Sequence, residues 1–179
     1  MYKDFQHVMV DIETLGETSN SVILSIAAIE FDINTGNTGR EFSKSININS
    51  CLDAGLHITE GTILWWFGKS EEARQQVINA ETVSLMKALS DFSCFVYGHQ
   101  QIWGNSNRFD LGILADAYRK IDFSIPWDFR NERDVRTLVS LAPQFKENHI
   151  YTGVKHIPLD DCKNQVQYVV KTYKHLLQC

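Results

Sequence analysis

The sequence of 179 residues has few cysteines and no long hydrophobic run. No two cysteines have CxxC spacing and none has a Cys/His spacing suited to zinc, which predicts reduced thiols and no zinc site. The apolar stretches fall short of the roughly 18 residues that a membrane helix needs, so no membrane association is expected. The N-terminus enters a strand-like run at once, which argues against a secretory signal. We therefore expect a cytoplasmic protein. The four cysteines are Cys51, Cys94, Cys162 and Cys179.

Basic side chains are also in short supply. The chain has 17 Lys and Arg against 22 Asp and Glu, a formal net charge of -5, which argues against holding nucleic acid through bulk positive charge. The acidic excess lies in residues 1–107, with 6 basic and 13 acidic side chains, whereas residues 108–179 have 11 and 9. Hydrophobic residues make up 44% of the chain, enough for the core of one ordinary domain.

The order of apolar runs predicts the fold class. Runs at residues 5–10, 21–33 and 40–48 are joined by polar turns, which predicts an antiparallel meander of three strands. Later elements follow mostly helical spacing, and strands followed by mixed α and β elements predict one α/β domain with a mixed sheet. The later predictions are helices starting at Thr59, Ser70 and Thr82, a strand at 100–104, helices at 107–118 and 134–141, and a long last helix from about Asp160.

Asp11 and Glu13 end the first predicted strand. Residues i and i+2 of a strand point to the same face, so the two carboxylates project together. Two like charges side by side are unfavourable unless a cation neutralises them. A lone Asp-x-Glu pair remains a weak signal, because most such pairs are solvated surface charges.

Two later segments carry further candidate groups. Asp110 opens a predicted helix after an Asn/Ser/Gly-rich turn, where a carboxylate also suits the helix dipole. His156 precedes Asp161 by five residues, where a loop becomes the last helix. There, Asp160 could simply cap the helix and leave His156 as an exposed loop residue. Each segment therefore has an ordinary structural explanation when taken alone.

Together, the order of these segments resembles the DEDD superfamily of 3'-to-5' exonucleases, in its histidine-containing (DEDDh) branch. The matching segments are VDIET with Asp11 and Glu13, NRFD with Asp110, and the His-x4-Asp pair of His156 and Asp161. Three longer runs are similar to small bacterial and phage exonucleases with RNase T-like folds, including the exonuclease VIII-type domain. These runs are ITEGTILWWFGKSEEAR (58–74), WGNSNRFD (103–110) and RDVRTL (133–138).

The resemblance implies a single 3'-5' exonuclease domain over residues 1–179, with a ribonuclease H-like α/β fold whose mixed five-stranded sheet is flanked by helices. It also implies that Asp11, Glu13, Asp110 and Asp161 hold two divalent cations, Mg²⁺ or Mn²⁺, with Asp11 bridging them. His156 would be the general base that takes a proton from the attacking water. The products would be nucleoside 5'-monophosphates released from the 3' end of single-stranded RNA or DNA.

The sequence departs from the family pattern at two places. The histidine motif reads His-Ile-Pro-Leu-Asp-Asp, and Pro158 restricts Ile157 to extended backbone. Ser106 stands where an asparagine often lies, four residues before Asp110. Neither departure removes a ligand, so both bear on substrate details.

Substrate contacts are predicted less sharply. Trp65, Trp66 and Trp103 could stack on bases. For Trp103 we favour packing in the core. Of the adjacent pair, one ring is expected in the core and one on the surface, and the sequence does not decide which. His57 lies where related enzymes place a loop near the terminal nucleotide. Basic residues of the C-terminal part could steer phosphates or simply be surface charge; these are Arg108, Arg130, Arg133, Arg136, Lys155 and Lys163. Thr14, Leu15 and Asn107 complete the predicted substrate-binding set.

Two other functions remain open. A catalytically silent nucleic-acid-binding or scaffold protein could keep this fold, although such a relative would be expected to have lost a ligand. A nuclease or nucleotidyl transferase of the wider ribonuclease H-like class would lack the His-x4-Asp feature. The expected partner is a single-stranded nucleic acid with a free 3' end. Many relatives are homodimers, and the aromatic content of this chain would permit such an interface.

Overall fold

A computed structural model describes residues 5–98 and 101–178. The described residues contain a six-stranded mixed sheet with the strand order β4-β3-β2-β1-β5-β6. The strands are β1 (His7–Thr14), β2 (Ile23–Phe31), β3 (Thr38–Ile46), β4 (Thr82–Val83), β5 (Gln101–Gly104) and β6 (Glu132–Asp134).

The predicted meander is confirmed, because β1, β2 and β3 pair in antiparallel fashion. The predicted α/β class with a mixed sheet is also confirmed, but the expected count of five strands is wrong. Two very short strands complete the sheet: β4 pairs parallel to β3 at one edge, and β6 pairs parallel to β5 at the other. Strands of two or three residues are too short to show an alternating pattern, so tertiary pairing alone defines them.

Eight α-helices are described, together with one 3-10 turn at Phe129–Asn131. The helices lie around the sheet, and α2, α5 and α8 carry residues of the candidate site. The helices are α1 (Ile48–Asp53), α2 (Glu60–Phe67), α3 (Glu71–Ile78), α4 (Leu85–Val96), α5 (Asn107–Lys120), α6 (Val135–Val139), α7 (Gln144–Glu147) and α8 (Pro158–Leu176).

Several predicted boundaries change. Thr82 belongs to β4, and the helix after it starts at Leu85 because Ser84 caps it, accepting from the Lys87 N–H. The last helix starts at Pro158, since proline suits the first helical position. Arg133 lies in β6 while Arg136 lies in α6, so the two do not share a helix as predicted. Gln100, the predicted start of a strand, and Cys179 lie outside the described residues.

Both faces of the central strands are buried. Val8, Val10 and Ile12 of β1 belong to a core shared with α4 and α5. Met9 points the other way, into a second core formed with Cys162 and further apolar residues of α8. Asp11 and Glu13 share the face of Met9, because side chains alternate along a strand. The alternation therefore turns both carboxylates toward the side of the sheet that α8 covers.

Two predictions concern thiols and membranes. Among the described residues, Cys51, Cys94 and Cys162 carry free thiols. Among residues 5–98 and 101–178, no helix has the length and apolar character required to cross a bilayer.

Candidate active site

The first two carboxylates lie in the second half of β1, a central strand of the sheet. Glu13 is buried, while Asp11 keeps partial contact with solvent. The Asp11 Oδ1 accepts a hydrogen bond from the Gln165 side-chain Nε2 at 2.7 Å. This contact joins the centre of β1 to α8 at the site.

Asp110 lies in the first turn of α5, directly after β5, and its side chain is only 2% exposed. Its Oδ2 accepts from the Asn105 backbone N–H at 2.7 Å. Gly104 makes this approach possible, because a Cβ there would lie 3.0 Å from the Asp110 Cβ and 3.1 Å from its Oδ2. The strand end and the helix start are therefore packed tightly enough to hold the carboxylate in place.

Asp161 in the first turn of α8 and His156 in the loop before it complete the site. The Asp161 Oδ2 accepts from the His156 backbone N–H at 2.9 Å, and its Oδ1 accepts from the Tyr151 hydroxyl at 2.9 Å. Ile157 is extended with φ -105° and ψ 108°, as the following Pro158 predicts. His156 itself has φ +67°, a left-handed conformation that is uncommon for a residue with a side chain.

The loop that carries His156 is held against α8 by Asn164. The Asn164 side-chain oxygen accepts from the Thr152 N–H at 3.0 Å and pairs with His149 Nε2 at 2.7 Å. Its Nδ2 donates to the carbonyl oxygens of Thr152, at 2.8 Å, and Asp160, at 2.7 Å. Because this amide is buried and fully hydrogen-bonded, it orders the loop before any substrate arrives.

Burial raises the pKa of all four carboxylates, and the charges of other members of the cluster add to this rise for Asp11 and Glu13. Burial, followed by the charges of Asp161 and Asp110, raises the pKa of Glu13 to about 9. Burial and three neighbouring carboxylates raise the pKa of Asp11, and the bond from Gln165 opposes that rise. Burial raises the pKa of Asp110 to about 7 and also raises the pKa of Asp161. So much like charge in one buried place is the condition that a bound cation relieves.

His156 faces this acidic cluster. Its Nδ1 lies 4.0 Å from Glu13 Oε1, and single ligand atoms of Glu13, His156 and Asp161 all lie within 4.8 Å of one another. Burial and then the charge of Lys69 lower the pKa of His156. The ring is therefore neutral near pH 7 and able to accept a proton.

Trp65 and the cation Lys69 lie on one side of the site, next to His156. Trp65 is 42% exposed and meets the His156 ring edge to face, with 4.9 Å between centroids. The Lys69 Nζ lies 3.6 Å from the centre of the Trp65 ring, within cation–π range. Trp66 is only 7% exposed, and its Nε1 donates to the Thr14 carbonyl at 2.9 Å. Of the adjacent pair, Trp65 faces the site and Trp66 supports the end of β1.

Two cavities flank the carboxylates. A pocket of about 120 Å³ lies against Glu13, and Thr14, Trp65 and Phe109 are among its lining residues. A larger cavity of about 300 Å³ lies on the side of His156 and Asp161, and its lining includes Lys146 and Lys155.

The structure brings some predicted residues to the site and leaves others apart. The five predicted catalytic residues converge, and Thr14 and Trp65 line the pocket next to Glu13. Leu15 and Trp66 instead line an apolar groove, and Trp103 is core, as its alternative explanation predicted. His57 is exposed and pairs through its backbone with Asn20 and Val22. Asn107 donates its N–H to Asp134 at 2.8 Å, and Arg108 is exposed; neither lines these two cavities.

Three residues at the site were not predicted: Lys69, Tyr151 and Gln165. Gln165 follows Asp161 by four residues, so helical spacing alone would place both on one face of α8. Tyr151 and Lys69 lie in segments whose local pattern gives no signal, because their partners come from distant parts of the chain.

Comparisons with known proteins agree with this geometry. Residues 6–173 match the model of a family described as the 3'-5' exoribonuclease Rv2179c-like domain. An exodeoxyribonuclease of Enterobacteria phage T4 is 30% identical over 157 residues, covering 73% of this chain and 69% of the phage protein.

Solved structures show the same fold at low sequence identity. Cell-death related nuclease 4 (CRN-4) matches with a TM-score of 0.68 and 14% identity, over 96% of this chain. This chain spans only 64% of the length of that nuclease. The nuclease domain of 3'hExo, a DEDDh family member bound to rAMP, matches with a TM-score of 0.61 and 15% identity, over 96% of this chain and 94% of that one. These likenesses confirm the predicted ribonuclease H-like fold. The family match spans nearly the whole chain, and the chain belongs to the family described as the 3'-5' exoribonuclease Rv2179c-like domain.

Proposed function

We propose that residues 1–179 form one exonuclease domain that hydrolyses single-stranded nucleic acid from its 3' end and releases nucleoside 5'-monophosphates. The observation that carries the proposal is the convergence of Asp11, Glu13, Asp110 and Asp161 with His156 at one end of the sheet. A family match alone would fit an inactive relative equally well. Five catalytic positions present together, in a shared buried cluster, favour an active enzyme.

The carboxylate cluster suits two divalent cations. Its donors are carboxylate oxygens, the ligands that Mg²⁺ and Mn²⁺ prefer. Burial raises the pKa of Asp11, Glu13 and Asp110, so ionising all of them together is unfavourable unless a cation is bound. Asp11, Glu13, Asp110 and Asp161 would hold the two ions, with Asp11 shared between them. When bound, the two cations stabilise the attacking and leaving oxygens of the phosphodiester.

His156 supplies the base. In its neutral form the ring takes a proton from the water that attacks the phosphorus atom. The bond from phosphorus to the 3' oxygen of the preceding nucleotide then breaks, and that oxygen is protonated from solvent. The hydrogen bonds of Asn164 and Asp161 keep the His156 loop in position, which lowers the entropy cost of placing the ring next to the attacking water.

The cavities suggest how the strand lies. The terminal nucleotide would occupy the pocket beside Glu13, with its base against Trp65, because stacking on an exposed ring tolerates any base. The arginines and lysines of the C-terminal part would approach the phosphates that follow. Bound cations would also change the charge balance, since two divalent ions move the formal charge from -5 to -1. The acidic composition is therefore compatible with a nucleic-acid substrate.

The test is release of mononucleotides from a 3'-labelled single strand, with Mg²⁺ or Mn²⁺ and with EDTA as the control. The proposal predicts labelled 5'-monophosphate as the first product and no cleavage of a circular single strand. Matched RNA and DNA oligonucleotides of one sequence, compared by kcat/KM, decide the preferred sugar. A folded protein that releases no nucleotide with either metal would support the silent binding protein instead. Cleavage of the circle would point to an endonuclease of the wider class.

A further inference from the structure

The environment of Gln165 is unusual for a buried amide. Gln165 lies on α8 and is only 2% exposed, and its Nε2 donates to Asp11 Oδ1 at 2.7 Å. No other side chain among the described residues donates to that carboxylate. The opposite end of the same amide, Oε1, is buried without a hydrogen-bond partner among these residues.

Burying an amide whose oxygen has no hydrogen-bond partner lowers the stability of the folded protein. A methionine of similar length would occupy the same space without burying an unpaired oxygen. Rotating the amide by half a turn would place Oε1 against the Asp11 carboxylate, where two acceptors repel each other. The amide is therefore held in the orientation that serves Asp11, at the expense of its own oxygen.

The position on the helix explains how the contact is maintained. Asp161 and Gln165 are separated by one helical turn, so both face β1. Cys162 and Val166 pack beside them in the core against the sheet, which fixes the rotation of α8. One turn of one rigid helix thus presents a carboxylate to the site and an amide donor to the carboxylate opposite.

We propose that Gln165 is a positioning residue for catalysis, whose amide fixes the orientation of the Asp11 carboxylate so that its remaining lone pairs face the divalent cations. The proposal rests on the function proposed above. A carboxylate that rotates freely must lose that freedom when it binds a metal, which weakens its affinity for the metal. Removing a group that orients a metal ligand therefore typically lowers metal affinity or activity by about 10- to 100-fold. Gln165 also lines the larger cavity on the side of His156 and Asp161, so the KM for the substrate is measured as well, to separate a role through Asp11 from a direct substrate contact.

The test variant is Gln165→Met, which keeps the length of the side chain and removes the donor. Gln167→Met is the matched control, because Gln167 is an exposed glutamine two residues further along the same helix. Thr172→Val controls for changing a buried polar residue of α8 whose hydroxyl also has no partner. Mn²⁺ binding is measured by calorimetry, and the rate on a labelled oligonucleotide is measured across a series of metal concentrations.

For Gln165→Met we expect a melting temperature of the metal-free protein within about 5 °C of the wild type. The Mn²⁺ dissociation constant and the metal concentration for half-maximal rate should both rise by about 10- to 100-fold. The KM for the oligonucleotide at saturating metal should stay within about twofold if Gln165 acts through Asp11, whereas a larger rise in KM would show a direct substrate contact and overturn the positioning role. Both control variants should match the wild type in all of these measurements.

If Gln165→Met does not fold, Gln165→Asn replaces it, because the shorter side chain keeps an amide but cannot reach Asp11. Wild-type metal affinity and half-saturating concentration in the folded variant would overturn the proposal for Gln165 while leaving the exonuclease intact. A wild-type protein that binds no Mn²⁺ and degrades no oligonucleotide would instead overturn the proposed function, so the two failures are distinguishable.

Discussion

The rings of Trp65 and His156 meet edge to face, with 4.9 Å between their centroids and 77° between their planes. Trp65 comes from α2 and His156 from the loop before α8, so the contact joins two segments that are distant in sequence. The same indole ring lies next to the pocket against Glu13. One side chain therefore supports the proposed base and offers a surface to the proposed terminal nucleotide.

Replacing Trp65 with Leu should lower kcat/KM on a single-stranded oligonucleotide by about 10- to 100-fold, the range expected for loss of one base–aromatic stack. Phe67→Leu is the control, because Phe67 is 67% exposed on the same helix and lines only the apolar groove. Steady-state rates on a fluorescent oligonucleotide measure both variants. Equal rates for Trp65→Leu and the wild type would remove Trp65 from the site.

Replacing Asp11 with Asn should abolish turnover, with a loss of at least about a thousandfold, because the substitution removes a shared metal ligand. The metal-free variant should melt at the wild-type temperature or higher, since it also removes repulsion among the carboxylates. Asp53→Asn, an exposed substitution at the end of α1, provides the control. Near-native rates for Asp11→Asn would contradict the metal assignment.

Replacing His156 with Ala should slow hydrolysis by about 100- to 10,000-fold, the range that a general base supplies. Oligonucleotide binding and Mn²⁺ binding should be retained, which separates loss of chemistry from loss of the site. His156→Gly should lose as much activity and be about 1 kcal/mol more stable than His156→Ala, because φ is +67° at this position. Thermal melting of the two variants, side by side, tests this ranking.

The stability of the metal-free protein should fall as pH rises from 7 to 9. The pKa of Glu13 is raised to about 9 in the folded state, so the native protein retains a proton that the unfolded chain has already released. Stability from such a group is complete below the unfolded pKa and is lost as pH rises through the folded one. We expect a loss of about 2 kcal/mol, or about 5 °C in melting temperature, over this interval.

Melting curves in EDTA at pH 7, 8 and 9 measure this slope. Glu13→Gln should reduce it, and Asp11 and Asp110, whose pKa values burial also raises, should supply the slope that remains. Glu17→Gln should leave it unchanged because Glu17 is exposed, and excess Mg²⁺ should abolish it by binding the ionised cluster. The measurement starts at pH 7 because burial lowers the pKa of His7 to about 4. At lower pH the unfolded chain binds a proton at His7 that the native protein does not, so stability there rises with pH. A rise in stability between pH 7 and 9 in EDTA would be the contrary result.

Sequence alone was sufficient for the residues whose order and spacing carry the family pattern. The alternation in β1 placed Asp11 and Glu13 on one face, and the His-x4-Asp spacing placed His156 beside Asp161. These predictions depend on local geometry, since a strand or a helix repeats regularly. The same logic explains why the meander was predicted correctly while the two- and three-residue strands β4 and β6 were not.

Tertiary structure decided everything that depends on contacts between distant segments. Only packing shows which of two adjacent tryptophans faces the site, because neighbours on a helix differ in orientation by about 100° and the position of the sheet selects one. Only packing reveals that Tyr151 donates to Asp161, and that Gln165 donates to a carboxylate 154 positions earlier in the chain. The sequence by itself determined which groups are the candidates for the proposed chemistry. The tertiary structure decided how they are held, because long-range hydrogen bonds leave no periodic signal in the chain.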